Sequence, residues 1–148
     1  MTAYNQTVSV MFVIYTAALD VLLLERAAHP GFWQSVTGSR EGSESMLATA
    51  AREVGEETGL DVRQFMLSDW HKTNHYEIFA EWRHRYAPGV TKNTEHVFGL
   101  LLPERQPVTI SPKEHRQWRW AGWQEAAEAC FSSSNREAIQ ELPVRLTK

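Results

Sequence analysis

The sequence is poor in cysteine and has no long uninterrupted apolar run. Its 148 residues include a single cysteine, Cys130, which excludes an intramolecular disulfide and fits a reducing compartment. The apolar residues 8–24 are interrupted by Ser9, Thr16 and Asp20, and no basic segment precedes them. We therefore expect neither a signal peptide nor a membrane span, and we expect a cytoplasmic protein.

An excess of positive charge is also missing. Fifteen Lys and Arg residues against 18 Asp and Glu residues give a net charge of −3. A protein that binds nucleic acid polymers or an anionic membrane usually needs a basic surface, so neither partner is expected. No obligate protein partner is evident, and no repeat or linker interrupts the chain. Its length is that of one domain, which we expect to span residues 1–148.

The order of apolar and polar segments predicts an α+β sandwich with a mixed sheet. Strand-like segments lie at 8–15, 21–25, 32–36, 65–67, 77–83, 94–102 and 118–120. Helix-like segments lie at 45–58, 123–130 and 134–142, the last with Ser134 or Asn135 as its N-cap.

The segment 38–60 is the most informative part of the chain. In its predicted helix, four apolar residues at helical spacing should face a core, namely Leu47, Ala50, Ala51 and Val54. Glu53, Glu56 and Glu57 share another face, where like charges destabilise a helix by roughly 0.2–0.5 kcal/mol per pair. A hard divalent cation with oxygen ligands would reverse that effect. Gly59 suits the left-handed turn that ends a helix.

The same segment matches a long motif at every fixed position. Gly38, Glu44 and the run 52–60 fill the pattern G-x5-E-x7-R-E-U-x-E-E-x-G-U, in which U is apolar. This pattern is the Nudix box, and the chain resembles the Nudix hydrolases. The resemblance implies a Nudix-type α/β/α sandwich around a mixed central sheet. It also implies attack of water on phosphorus in a substrate that contains a nucleoside diphosphate or a close analogue, with Mg²⁺ or, in its place, Mn²⁺.

The Nudix resemblance also assigns roles to acidic residues. Metal ligands are expected at Glu53, Glu56, Glu57 and Glu114, the last of these lying in the loop before the strand at 118–120. Glu44 and Arg52 would order the site, with Arg52 forming salt bridges to the carboxylates. Either Glu53 or Glu114 would be the base that deprotonates water, and the sequence leaves that choice open.

Segments outside the box resemble one Nudix subfamily in particular. Residues 32–39 and 84–95 are similar to bacterial dihydroneopterin triphosphate pyrophosphatases, which release pyrophosphate and leave dihydroneopterin monophosphate. The resemblance and a basic cluster at 83–86 suggest the following substrate contacts: Arg26, Thr37, Gly38, Tyr76, Glu77, Ile78, Phe79, Arg85 and Ser132. Two alternatives stay open, a broad hydrolase of nucleoside triphosphates and a Nudix domain that senses a nucleotide without cleaving it.

Overall fold

The computed structural model describes residues 7–78 and 80–146. Its strands are β1 Val8–Thr16, β2 Asp20–Arg26, β3 Trp33–Gln34, β4 Val36–Ser39, β5 Met66–Glu77, β6 Lys92–Leu102 and β7 His115–Gly122. Its α-helices are α1 Met46–Thr58, α2 Trp123–Ala129, α3 Ser133–Gln140 and α4 Leu142–Leu146. Two short 3-10 helices lie at Val62–Gln64 and Ala80–Arg85.

The seven strands form one mixed sheet. Its neighbours follow the order β3-β2-β1-β6-β5, with β4 also beside β1 and β7 beside β2. The β1 and β6 strands are parallel, whereas β1 is antiparallel to β2 and β4. The predicted α+β class with a mixed sheet is confirmed.

Both faces of the sheet carry a hydrophobic core, because successive side chains of a strand point to opposite sides. Val10, Phe12 and Ile14 of β1 pack with Ala50 and Val54 of α1 on one face. On the other face, Met11 and Val13 pack with residues of α2 and α3. No helix in the described part of the chain is long and apolar enough to cross a membrane.

Local chemistry explains both ends of α1. Ser45 is the N-cap, and its Oγ accepts a hydrogen bond of 3.0 Å from the amide of Ala48. Gly59 ends the helix at φ 74°, a conformation that glycine adopts without a Cβ clash.

The prediction for the faces of α1 was only partly right. Ala50 and Val54 are in the core as expected, whereas Leu47 is 55% exposed. Glu53 and Glu57 are also buried, Glu53 against Gly38 of β4 and Glu57 with its Oε1 3.4 Å from Nε2 of His115 in β7.

The largest error in the sequence prediction concerns the segment after residue 67. The expected strand at 77–83 is wrong, since β5 ends at Glu77 and Ala80–Arg85 forms a 3-10 helix. Arg83 holds this helix by donating a hydrogen bond of 3.0 Å from Nε to the carbonyl of Ile78. Conversely, the polar residues 68–76 belong to β5, because antiparallel pairing with β6 outweighs their weak strand pattern.

The last predicted helix is divided in two. The α3 helix uses Ser132 as its N-cap, not Ser134 or Asn135, and the Oγ of Ser132 accepts a hydrogen bond from the amide of Asn135. It ends at Gln140, and α4 begins two residues later with Pro143 in its first turn. Proline has no amide hydrogen to donate, and it is tolerated in a first turn but not inside a helix.

Candidate active site

Arg52 lies at the centre of the acidic cluster formed by the box. Its Nε and Nη2 donate to the two carboxylate oxygens of Glu44 at 2.9 and 3.0 Å, a bidentate arrangement. Its Nη1 donates to Glu53 at 2.7 Å and to the more exposed Glu56 at 3.3 Å. Its Nη2 also donates to the carbonyl of Ser39. Arg52 therefore ties three carboxylates of the predicted site to the end of β4.

Glu44 is held as a carboxylate by these contacts. The hydrogen bonds from Arg52 and from the amide of Glu41 lower the pKa of Glu44 to about 2. A carboxylate that stays ionised at neutral pH keeps Arg52, and through it Glu53, in a fixed orientation.

Glu53 and Glu57 form a buried acidic pair, with 9% and 2% of their surfaces exposed. Burial raises the pKa of each carboxyl, and for Glu57 the nearby charges of Glu53 and Glu114 raise it further. Arg52 pairs with Glu53, but within the described residues no salt bridge to an Arg or Lys reaches Glu57, and a bound cation would supply positive charge there.

Gly38 provides the space that Glu53 occupies. A Cβ atom at position 38 would overlap Cγ and Cδ of Glu53, so any larger residue would displace the carboxylate. Gly38 lies in β4 opposite Val10, which fixes its position against α1. The first glycine of the box is therefore a packing requirement of the acidic pair.

Glu114 and His115 approach this pair from the start of β7. Glu57, Glu114 and His115 each offer a ligand atom within 4.8 Å of the other two. Glu114 is exposed, whereas His115 is buried with its Nε2 3.4 Å from Oε1 of Glu57. Burial and the charge of Arg26 lower the pKa of His115 to about 4, so its imidazole is neutral at pH 7.

His115 is a site residue that the sequence analysis missed. It follows the predicted ligand Glu114 directly and pairs in the sheet with Arg26, another predicted site residue. The predicted strand began only at residue 118, so the pairing of His115 with Arg26 was not anticipated.

Two predicted substrate contacts lie beside the acidic cluster and are linked to each other. Arg26 donates from Nη1 to Oε1 of Gln34 at 3.2 Å, and Gln34 donates from Nε2 to the hydroxyl of Thr37 at 3.3 Å. The charge of Arg26 also acts on Glu57 and His115. Arg26, Thr37 and Gly38 are thus brought together with the predicted metal ligands.

The other predicted contacts lie elsewhere. Glu77 is the last residue of β5, and its Oε2 lies 3.7 Å from Nη2 of Arg83. The amide of Ile78, the next residue, donates a hydrogen bond to the carbonyl of Thr91. The backbone of Tyr76 pairs with Asn93, and the exposed Arg85 ends the second 3-10 helix. Phe79 lies outside the described residues. No described hydrogen bond or ion pair joins this group to the acidic cluster, and Ser132 is at the start of α3.

The donor set fits a divalent cation. Within the described residues, Oε2 of Glu57 and Nδ1 of His115 are buried and have no hydrogen-bond partner. A buried carboxylate oxygen without a donor is costly, and a cation satisfies it. Carboxylate oxygens are the usual ligands of Mg²⁺ and Mn²⁺, and an imidazole nitrogen is a ligand for several transition metals. The cluster is a candidate site for a divalent metal.

Comparison with known families agrees with this geometry. The model of the NUDIX domain matches residues 5–142, and the chain belongs to the Nudix hydrolase family. The family predicted from the box is confirmed.

Two curated relatives and a solved structure are similar over almost the whole chain. The dihydroneopterin triphosphate diphosphatase of Escherichia coli strain K12 is 44% identical over 95% of both chains. The protein of the same name from Haemophilus influenzae is 38% identical and covers all of this chain and 94% of its own. The structure of the E. coli dihydroneopterin triphosphate pyrophosphohydrolase has a TM-score of 0.90 and 43% identity, covering 97% of this chain and 99% of its own.

Proposed function

We propose that the chain hydrolyses dihydroneopterin triphosphate to dihydroneopterin monophosphate and pyrophosphate, in the cytoplasm and with Mg²⁺. The observation that carries this proposal is the buried pair of Glu53 and Glu57 in a chain that is similar over at least 95% of its length to enzymes named for that substrate. The names of both relatives agree with the substrate predicted from the sequence. We take residues 1–148 to act as one Nudix domain.

Glu53, Glu57 and Glu114 would hold the metal, with Glu56 joining them from the exposed side of α1. When bound, Mg²⁺ would neutralise the oxygens of the triphosphate and favour attack on phosphorus. Mn²⁺ also accepts oxygen ligands and could serve in its place.

The residues of the chain itself suggest how water is directed. Glu114 is exposed and near Glu57, so its carboxylate can accept a proton from an incoming water. Oε1 of Glu53 accepts a hydrogen bond from Arg52, which suits a positioning role better than proton transfer. The water oxygen forms a bond to phosphorus, the P–O bond between the α- and β-phosphates breaks, and pyrophosphate leaves. Of the two bases considered, the geometry favours Glu114.

The remaining predicted residues would bind the substrate. Arg26 and the backbone at Gly38 lie beside the acidic cluster and can contact phosphate oxygens. Thr37, which Gln34 links to Arg26, would lie against the substrate. The exposed Arg85 would attract the triphosphate, while the segment 76–79 and Ser132 would contact the rest of the molecule.

Product analysis tests the reaction. Phosphorus NMR of wild-type protein with Mg²⁺ and dihydroneopterin triphosphate should show pyrophosphate and the monophosphate in equal amounts from the first time point. Orthophosphate as the first product would contradict cleavage between the α- and β-phosphates. Binding without any product would support the sensor alternative.

A further inference from the structure

A buried polar patch lies at one end of the sheet, on the face covered by α3. Side chains alternate along a strand, so Met11 and Val97 of this core are followed towards the strand starts by Ser9 and Glu95. Ser9, Asn93 and Glu95 are all buried. The apolar core therefore gives way here to polar side chains that are shielded from water.

Glu95 is the acidic member of this patch and is only 4% exposed. Its Oε1 accepts hydrogen bonds from Nδ2 of Asn74 at 3.2 Å and from the hydroxyl of Ser134 at 3.1 Å. Both of these hydrogen bonds are made to Oε1 of Glu95 and leave its Oε2 without them. Among the described residues, no cationic side chain pairs with this carboxylate. Burial raises the pKa of Glu95, and these two bonds only partly offset that effect.

A buried carboxylate with two neutral partners is a costly feature for stability alone. Charged groups inside proteins are normally paired, because removing them from water costs several kcal/mol. The free acceptor capacity of Glu95 would be satisfied by a ligand that brings N–H donors.

The patch is within reach of the proposed substrate site. The hydroxyl oxygen of Ser134 lies 3.5 Å from that of Ser132, a predicted substrate contact.

The register of the sheet also places the patch near the box. Ser9 is paired with both Glu95 of β6 and Ser39 of β4, the strand in which the box begins. Adjacent strands are about 4.8 Å apart, so the backbones of Glu95 and Ser39 are separated by about 10 Å. Thr37 points to the same face as Glu95, since both alternate in step with Met11.

We propose that Glu95 is a specificity-determining residue that binds the 2-amino-4-oxo edge of the pterin ring. That edge presents a ring N–H and an amino group side by side, and a carboxylate accepts both. Guanine has the same pair of donors, hypoxanthine lacks the amino group, and adenine lacks the ring N–H on its pairing edge. The proposal rests on the proposed function, because it places the ring of that substrate in this patch.

A role in the fold makes a different prediction. Ser134 lies in the first turn of α3, where a nearby negative charge stabilises a helix. If Glu95 acts only through that turn, replacing Ser134 should have the same consequences as replacing Glu95.

The test compares kcat/KM of wild type, Glu95→Gln and Ser134→Ala on dihydroneopterin triphosphate, dGTP, dITP and dATP. Wild type should prefer dGTP to dITP by about tenfold or more, since a hydrogen bond to a charged group is lost. Glu95→Gln should reduce this ratio to near one and lower kcat/KM for dihydroneopterin triphosphate by about 10- to 100-fold. Ser134→Ala should keep the dGTP to dITP ratio of wild type.

Three outcomes would overturn the proposal. They are a wild-type ratio of dGTP to dITP near one, an equal loss on all four substrates in Glu95→Gln, and the same loss of the ratio in Ser134→Ala. The first outcome needs no variant, so it decides the question even if Glu95→Gln fails to fold. Failure of the proposed function looks different, because wild type would then cleave dATP as well as dihydroneopterin triphosphate. The dGTP to dITP ratios would still decide the role of Glu95.

Discussion

Replacing Glu57 with Gln is expected to lower kcat by about 10³-fold, or about 4 kcal/mol of transition-state stabilisation. Gln has nearly the same shape, so it fits the buried position of Glu57. It replaces an anionic oxygen with an amide nitrogen that can only donate, and such a group cannot bind a cation. The measurement is steady-state release of pyrophosphate with saturating Mg²⁺.

Thermal unfolding of the same variant separates metal binding from folding. Without metal, the Tm of Glu57→Gln should equal or exceed that of wild type, because the repulsion between Glu53 and Glu57 is removed. The rise in Tm that Mg²⁺ causes in wild type should be lost. Glu128→Gln, an exposed change on α2, is the matched control and should behave as wild type. Near-normal kcat together with a normal Mg²⁺-dependent Tm would contradict the metal assignment.

Replacing Gly38 with Ala is expected to lower kcat by about 100-fold, the usual effect of displacing a catalytic group by about 1 Å. The new methyl group would overlap the side chain of Glu53, which is buried and held by Arg52. Overpacking of this kind should also reduce the free energy of unfolding by about 1–3 kcal/mol.

A matched glycine and a second substitution isolate the cause. Gly122 has open space around its Cα and an ordinary φ of −58°, so Gly122→Ala should leave kcat unchanged. Adding Glu53→Ala to Gly38→Ala should restore most of the lost stability but not the activity. If Gly38→Ala keeps kcat within about threefold of wild type, well short of the loss expected for a displaced carboxylate, Glu53 does not need this space.

Features that depend on nearby residues were predictable from the sequence. Ser45 and Gly59 mark the ends of α1 by their own hydrogen bonding and backbone preference, and the structure has both ends there. The box spacing also identified the family. By contrast, the burial of Glu53 arises from packing against Gly38 on another element, which periodicity within α1 does not show.

Features that depend on distant pairing were not predictable. Residues 68–76 are polar and become strand only because β6 supplies a pairing partner. The approach of His115 to Glu57 joins β7 to α1 across more than fifty residues of sequence. Glu95 likewise gains its surroundings from β5 and α3. The sequence named candidate residues one by one, whereas the sheet topology determines which side chains meet, including His115 and Glu95, which the sequence did not single out.

The most direct test of the central claim is steady-state kcat/KM with Mg²⁺ on dihydroneopterin triphosphate beside dATP, dGTP and 8-oxo-dGTP. The proposed function predicts a preference for the pterin of about a hundredfold or more, equal to about 2.7 kcal/mol of transition-state discrimination. Comparable kcat/KM values across the four substrates would contradict it and would identify the protein as a broad hydrolase of nucleoside triphosphates.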